Sequence, residues 1–293
     1  MYQLKEGQEE NFKNICSKWG INEAFWENVK DLEFTSPKPE YVFNAFKIGT
    51  EKNNGIITPK EVKVLILGQD PYPDSKKAQG FAFSVSNSYT KEHDIDDSLL
   101  NIFKAIKVYQ YKEKEKLIKY FCDISNEEIS WETSLKKWAK GGILLLNTAL
   151  THENKDTIET HRNAWEPFIK EVIKKIMASE DNKTVIFLWG KKAQETFFKA
   201  FNGSDIKKDN IKINITKPDK EDDIKYRRSK SLKIKTSVEL IRGTMELGNK
   251  QIYLTSHPSD LGVNDGFSED APNHFEACDK FLKENIWKNF PEK

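Results

Sequence analysis

The chain has 293 residues, of which 37% are hydrophobic and 32% charged, and a formal net charge of +1. That length can bury a large core, and the balance is that of an ordinary folded protein, not a disordered one. Near-neutral charge neither demands nor excludes a nucleic-acid partner, because groove binding depends on where charge is placed.

Up to about Asn53 the sequence reads as helices, with a proline turn at "SPKPEYVFNAF". The first apolar run, "VKVLIL" (Val62 to Leu67), leads into "GQDPY" and resumes as "GFAFSV" (Gly80 to Val85). A helical period follows in "SLLNIFKAIKVYQ" from Ser98, then a second run, "GILLLN" (Gly142 to Asn147), which continues as "TALT". Helical spacing returns in "AWEPFIKEVIKKIMAS" from Ala164, ahead of the third run, "TVIFLW" (Thr184 to Trp189). "KKAQETFFKAF" from Lys191 is helical again. From Asn202 to Asn249 the pattern breaks down into an acidic block, "DKEDD", and a basic one, "KYRRSKSLKIK", which reads as an insertion with one or two short strands. The fourth run is "QIYLTS" (Gln251 to Ser256), and a helix at "NHFEACDKFLKENIWKN" closes the chain.

The four runs are short, Leu-rich or β-branched, and bounded by glycine, proline or polar residues, as strands buried on both faces are. Strand alternating with helix predicts an α/β fold. The expected architecture is a three-layer single domain over residues 1–293, with a central four-stranded parallel sheet flanked by helices and an insertion at about 202–249. No stretch approaches the ~18 apolar residues of a membrane span. The start, "MYQLKEGQEENFKNICSKWG", lacks a secretory pattern, so the protein is expected to work inside a cell. Cys16, Cys122 and Cys278 form no CxxC pair and are expected to be reduced thiols.

Open parallel sheets bind ligands beyond the carboxyl ends of their strands. There the sequence puts Asp70, Asn147, a glycine turn after Trp189, and His257. Each has an ordinary alternative: Asp70 before proline starts turns, Asn147 can cap a strand, His257 can sit in a turn, and Tyr72 and Phe83 can be core aromatics. Polar or glycine signatures at all four ends together point to a shared site. The acids are too scattered for a two-metal centre, and no glycine-rich phosphate loop follows the first strand, so no metal and no organic cofactor is expected.

These motifs resemble those of the family 1 uracil-DNA glycosylases. The family's GQDPYH stands here as "GQDPYP" (Gly68 to Pro73) and its HPSPLS as "HPSDLG" (His257 to Gly262). Further matches are "GFAFSV", "ILLLNTALT" (Ile143 to Thr151), "FLWGKKAQ" (Phe187 to Gln194) and "VFNAF" (Val42 to Phe46). The resemblance runs from about Ser36 to Trp287. It implies hydrolysis of the bond between uracil and deoxyribose after the base has left the stack, with release of uracil and an abasic site for excision repair. Asp70 would orient water and face the cationic sugar, and His257 would donate a hydrogen bond to uracil O2. Phe83 would stack on the base, Asn147 would pair with its edge, Tyr72 would exclude a C5 methyl, and Gln69 would help to hold the base or water. The resemblance further implies DNA contacts from Ser98, Ser259 and His161, with Leu261 as the wedge in the vacated stack.

Where the pattern departs, Pro73 replaces a histidine, and Asp260 replaces a proline. Lys191 stands in for a serine and would favour DNA. "EHDIDDS" (Glu92 to Ser98) takes the place of a proline-rich loop, so Asp96, Asp97 and Asp260 are expected to repel phosphates. The basic block of the insertion is either a compensating DNA contact or a solvated strand. Single- or double-stranded uracil-containing DNA is the expected partner of a monomer, in the cytoplasm of a bacterium or the nucleus of a eukaryote. The alternative is a DNA-bound accessory factor of the same fold with weak or no catalysis.

Overall fold

The computed structural model describes residues 1–4, 6–48, 55–88, 95–110, 133–200, 211–215 and 242–287. Cys122 and the charged blocks "DKEDD" and "KYRRSKSLKIK" lie outside them, as do residues 92–94 of the acidic loop.

All four predicted strands form: β1 (Val64–Gly68), β2 (Ile143–Asn147), β3 (Thr184–Trp189) and β6 (Lys250–Thr255). They lie parallel in the order β2-β1-β3-β6, and nearly every residue in them is buried, which is why their sequences are continuously apolar. The sheet extends further than expected. Two strands of the insertion make it six-stranded: β5 (Gly243–Leu247) pairs antiparallel with β6, and β4 (Ile211–Ile215) antiparallel with β5. Met245 and Leu247 of β5 are buried, so the tail of the insertion belongs to the core.

Helix α1 (Glu6–Trp19) packs at the N-terminus, followed by short 3-10 turns at Glu23–Asn28, Pro39–Tyr41 and Asn44–Phe46. The crossover from β1 to β2 carries α2 (Asp97–Gln110) and α3 (Lys136–Lys140), and that from β2 to β3 carries α4 (Ile158–Ala178). The crossovers step in opposite directions from β1, so right-handed connections put α2 and α4 on opposite faces of the sheet. Helix α5 (Lys191–Ala200) packs beside α4, and the C-terminal α6 (Ser268–Leu282) packs beside α2. Phe187 and Trp189 alternate onto the face where Phe275 of α6 waits, with ring centroids 5.6 and 6.2 Å away. On α4, Phe168 meets Phe12 of α1 at 4.9 Å. None of the described helices is long and apolar enough to cross a membrane.

Helix α4 begins six residues before the expected Ala164, leaving Pro167 well inside it. Proline removes one helical N–H bond, but tertiary contacts outweigh that loss. Trp165 is fully buried, and its indole N–H donates to the Thr151 hydroxyl at 2.8 Å, anchoring the early turns to the end of β2. Cys16 and Cys278 are free and buried. Burial pushes the Cys16 thiol up to about 12, so it stays an inert core group.

Candidate active site

The connections leaving β1 and β3 run in opposite directions across the sheet, and this opens a crevice at their carboxyl ends. Gly68 ends β1 opposite Asn147 at the end of β2. A Cβ on residue 68 would lie 2.4 Å from Asn147 Oδ1 and 2.7 Å from Ala82 Cβ, so only glycine lets the carboxamide lean across the strand end. Beyond it, the Gln69 carbonyl accepts from the amides of Thr148 and Ala149 at 3.1 and 3.2 Å and from the Thr148 hydroxyl at 2.7 Å. These bonds fix the loop that carries Asp70.

Two hydrogen bonds then set the aromatics. The Ser36 hydroxyl donates to the Tyr72 carbonyl, and the Tyr72 hydroxyl donates to the Phe83 carbonyl at 3.2 Å. Burial, then the charge of Asp96, raises the Tyr72 pKa, so its hydroxyl remains a donor. Phe83 has φ +62°, a left-handed backbone that costs a bulky residue about 1–3 kcal/mol. Its ring is thereby set between Trp189 and His257, at 5.6 and 5.9 Å.

His257 follows β6. Gly190 (φ +89°) makes room for it, because a Cβ there would come within 2.9 Å of His257 Cβ. The Ser259 amide donates to His257 Nδ1 at 3.1 Å, so that nitrogen carries no proton and the neutral ring holds its hydrogen on Nε2. Burial lowers the pKa of the ring and keeps it neutral.

Gln69, Asp70, Tyr72, Phe83, Asn147 and His257 line one cavity of about 240 Å³. Asn147, 6% exposed, and Phe83, 9% exposed, form its buried part. Ser98, from the first turn of α2, lines it too, as do Pro73 and His152.

The sequence-based reading missed two neighbours of Asp70. Arg162 on α4 donates from Nε to Asp70 Oδ1 at 2.9 Å and from Nη2 to Oδ2, a two-pronged ion pair in which both side chains are 14% exposed. Its Nη1 holds Glu159, which also meets Lys192 Nζ at 3.4 Å. Burial works against the Arg162 charge, but pairing with Asp70 and Glu159 outweighs it and raises its pKa. His152 is buried, and its Nδ1 has no partner among the described residues. Burial lowers its pKa, with the nearby Asp70 charge opposing. Placing the start of α4 at Ile158 would have put Arg162 on the inward stripe with Trp165, three residues on.

His161 is placed differently from the other predicted DNA contacts. It is 2% exposed, and its Nδ1 is bonded to the Thr151 hydroxyl at 2.8 Å. That hydroxyl also accepts from Trp165, so the His161 ring is bound into the packing between β2 and α4. Asp96 has a cation beside it, Lys77 Nζ lying 3.1 Å from its carboxylate, and Asp97 is exposed. The Asp260 side chain is outside the described ones. Leu261 is 92% exposed, in a single turn (Asp260–Gly262) just past His257 and Ser259. Lys191 is exposed at the start of α5, with Glu195 3.8 Å away. Among the described residues no group of three or more His, Cys, Asp or Glu is arranged to hold a metal ion.

A family model described as the uracil DNA glycosylase superfamily matches residues 55–285. The chain is 30% identical to a uracil-DNA glycosylase of Borreliella burgdorferi over 291 residues, 96% of either chain. It is 34% identical to that of Francisella tularensis subsp. novicida, covering 85% of this chain and 79% of the relative. Among solved structures, mimivirus uracil-DNA glycosylase superposes with a TM-score of 0.54 over 96% of this chain and 84% of its own, at 19% identity, a likeness of fold.

Proposed function

Because the chain belongs to the uracil DNA glycosylase superfamily, and is a uracil-DNA glycosylase, a hydrolase of DNA repair, we propose a division of labour among its cavity residues. A deoxyuridine flipped from DNA enters the crevice, and Leu261, exposed and apolar, fills the stack it leaves. Phe83 stacks on the base. The Asn147 carboxamide offers one donor and one acceptor to the uracil N3 hydrogen and O4, whereas cytosine presents the reverse pattern. A buried mismatch there costs about 1–3 kcal/mol per unpaired group. Tyr72 stands where thymine would carry its methyl. Gln69, tied to β2 through its carbonyl, helps to hold the base or water. Ser98, Ser259 and Lys191 serve the phosphates, and the chain acts as a monomer.

As the glycosidic bond breaks, the sugar becomes cationic and the base anionic. Asp70 orients the attacking water and faces the cation, while His257, neutral, donates from Nε2 to the base oxygen on which charge develops. The observation that carries this reading is the Ser259 amide bonded to His257 Nδ1, which leaves Nε2–H as the donor in a cavity shared with Asn147, Phe83 and Asp70. No step needs a metal.

Release of free uracil from a uracil-containing oligonucleotide, with EDTA present, tests the assignment. Asp70→Asn and His257→Ala should each lose about 10²-fold or more in single-turnover rate while the protein stays folded. Full activity in either variant removes that residue from its role. Tight DNA binding without turnover in the unmodified protein would favour the accessory-factor reading.

A further inference from the structure

The backbone of the loop around Asp70 is anchored to the end of β2, but little within the loop holds the carboxylate itself. Pro71 and Pro73 follow Asp70 closely and carry no backbone N–H, so neither can donate to its carboxylate. Among the described residues the hydrogen bonds to that carboxylate come from Arg162, one to each oxygen. The arginine is itself held from behind, by Glu159 one helical turn earlier on α4 and, through Glu159, by Lys192 at the start of α5. Burial disfavours ionisation of Glu159, but Arg162 and Lys192 outweigh it and keep the carboxyl below its ordinary pKa, so the chain of charges is intact at neutral pH.

We propose that Arg162 is the positioning residue of Asp70: its planar fork fixes the carboxylate so that the two remaining lone-pair directions point to the hydrolytic water. An ionised carboxylate can accept at about four lone-pair sites, and the fork takes two of them. A flexible lysine could neutralise the charge but could not fix the plane of the carboxylate. The geometry also separates this role from a phosphate contact, because Arg162 is mostly buried and its Nε and both terminal nitrogens are committed to Asp70 and Glu159. The inference rests on the assignment of Asp70 as the water-orienting acid.

The test is a double-mutant cycle in single-turnover uracil release. Arg162→Ala is expected to lower kcat about 30- to 100-fold with KM changed less than about threefold, since misplacing a reacting group by about 1 Å costs about 10²-fold. Combined with Asp70→Asn, it should cause no further loss, because it acts through that carboxylate. Added guanidinium should restore part of the Arg162→Ala rate and none of the Asp70→Asn rate. A raised KM with kcat unchanged, and a salt dependence of binding shallower by about one ion, would make Arg162 a phosphate contact and overturn the proposal. A faster Arg162→Ala enzyme would make it a latch on Asp70 and overturn it equally. If Arg162→Ala fails to fold, Arg162→Lys and Glu159→Gln carry the test. Both should lower kcat at least about fivefold with KM unchanged, and wild-type rates in both would refute the fork. Full activity in Asp70→Asn alone would show that the fault lies with the Asp70 assignment.

Discussion

Replacing Gly68 by alanine tests whether the Asn147 carboxamide is held in place by the close approach of the strand end. The new Cβ would stand 2.4 Å from Asn147 Oδ1 and 2.7 Å from Ala82 Cβ, where ordinary contact begins near 3.4 Å, so something must move by about 1 Å. The backbone of residue 68 cannot give easily, since β1 is paired to β2 on one side and β3 on the other. The Asn147 side chain therefore turns away from the base edge. A displacement of that size costs about 10²-fold, equivalent to about 2.7 kcal/mol of transition-state stabilisation. Overpacking costs a further ~1–3 kcal/mol of stability, and so a few degrees in Tm. Single-turnover release of uracil from a labelled oligonucleotide measures the first effect, and thermal unfolding the second. Asn147→Ala sets the floor, and Gly68→Ala should approach it without passing it. If Gly68→Ala unfolds earlier yet keeps kcat/KM within about threefold of wild type, the carboxamide is not the edge reader and the reasoning fails.

Leu261→Ala should leave Tm unchanged, because the side chain is almost wholly exposed, but should slow excision from duplex more than from single-stranded DNA; equal losses on both would remove its wedge role. Stability should fall as pH drops below about 6.5. His152, His161, His257 and His274 are each pushed below the ordinary histidine pKa, chiefly by burial, so the unfolded chain binds more protons in that window. Tm should therefore drop by several degrees between pH 7 and pH 5, and less steeply in His274→Gln, whose imidazole faces Asp270 and Arg242. A flat profile would contradict the burial. Replacing residues 216–241 by a short turn between β4 and β5 removes the basic block while keeping the strand that packs on β6. Binding to DNA should weaken, and its salt slope should flatten by about one for each phosphate that the block neutralises. An unchanged slope would assign the block to solvent.

The four parallel strands were legible because a strand buried on both faces must be apolar throughout, and such runs bounded by glycine and polar residues have few other readings. Asp70, Asn147 and His257 were legible for a related reason: they follow directly on those strands, and strand order brings the ends to one rim. Even the prolines of "GQDPYP" announced a rigid loop. The tautomer of His257 was not legible, since it depends on an amide two residues on that meets Nδ1 only when the turn has folded. Nor was the buried state of His161, which depends on Thr151 and Trp165 closing around it. The pairing of Asp70 with Arg162 joins residues 92 positions apart, and of Asp96 with Lys77 residues 19 apart. Local pattern reports propensity and burial, which each residue carries by itself. Partnership across the fold is a property of pairs, and for Asp70 and Arg162 only the packing of α4 against the rim of the sheet decided it.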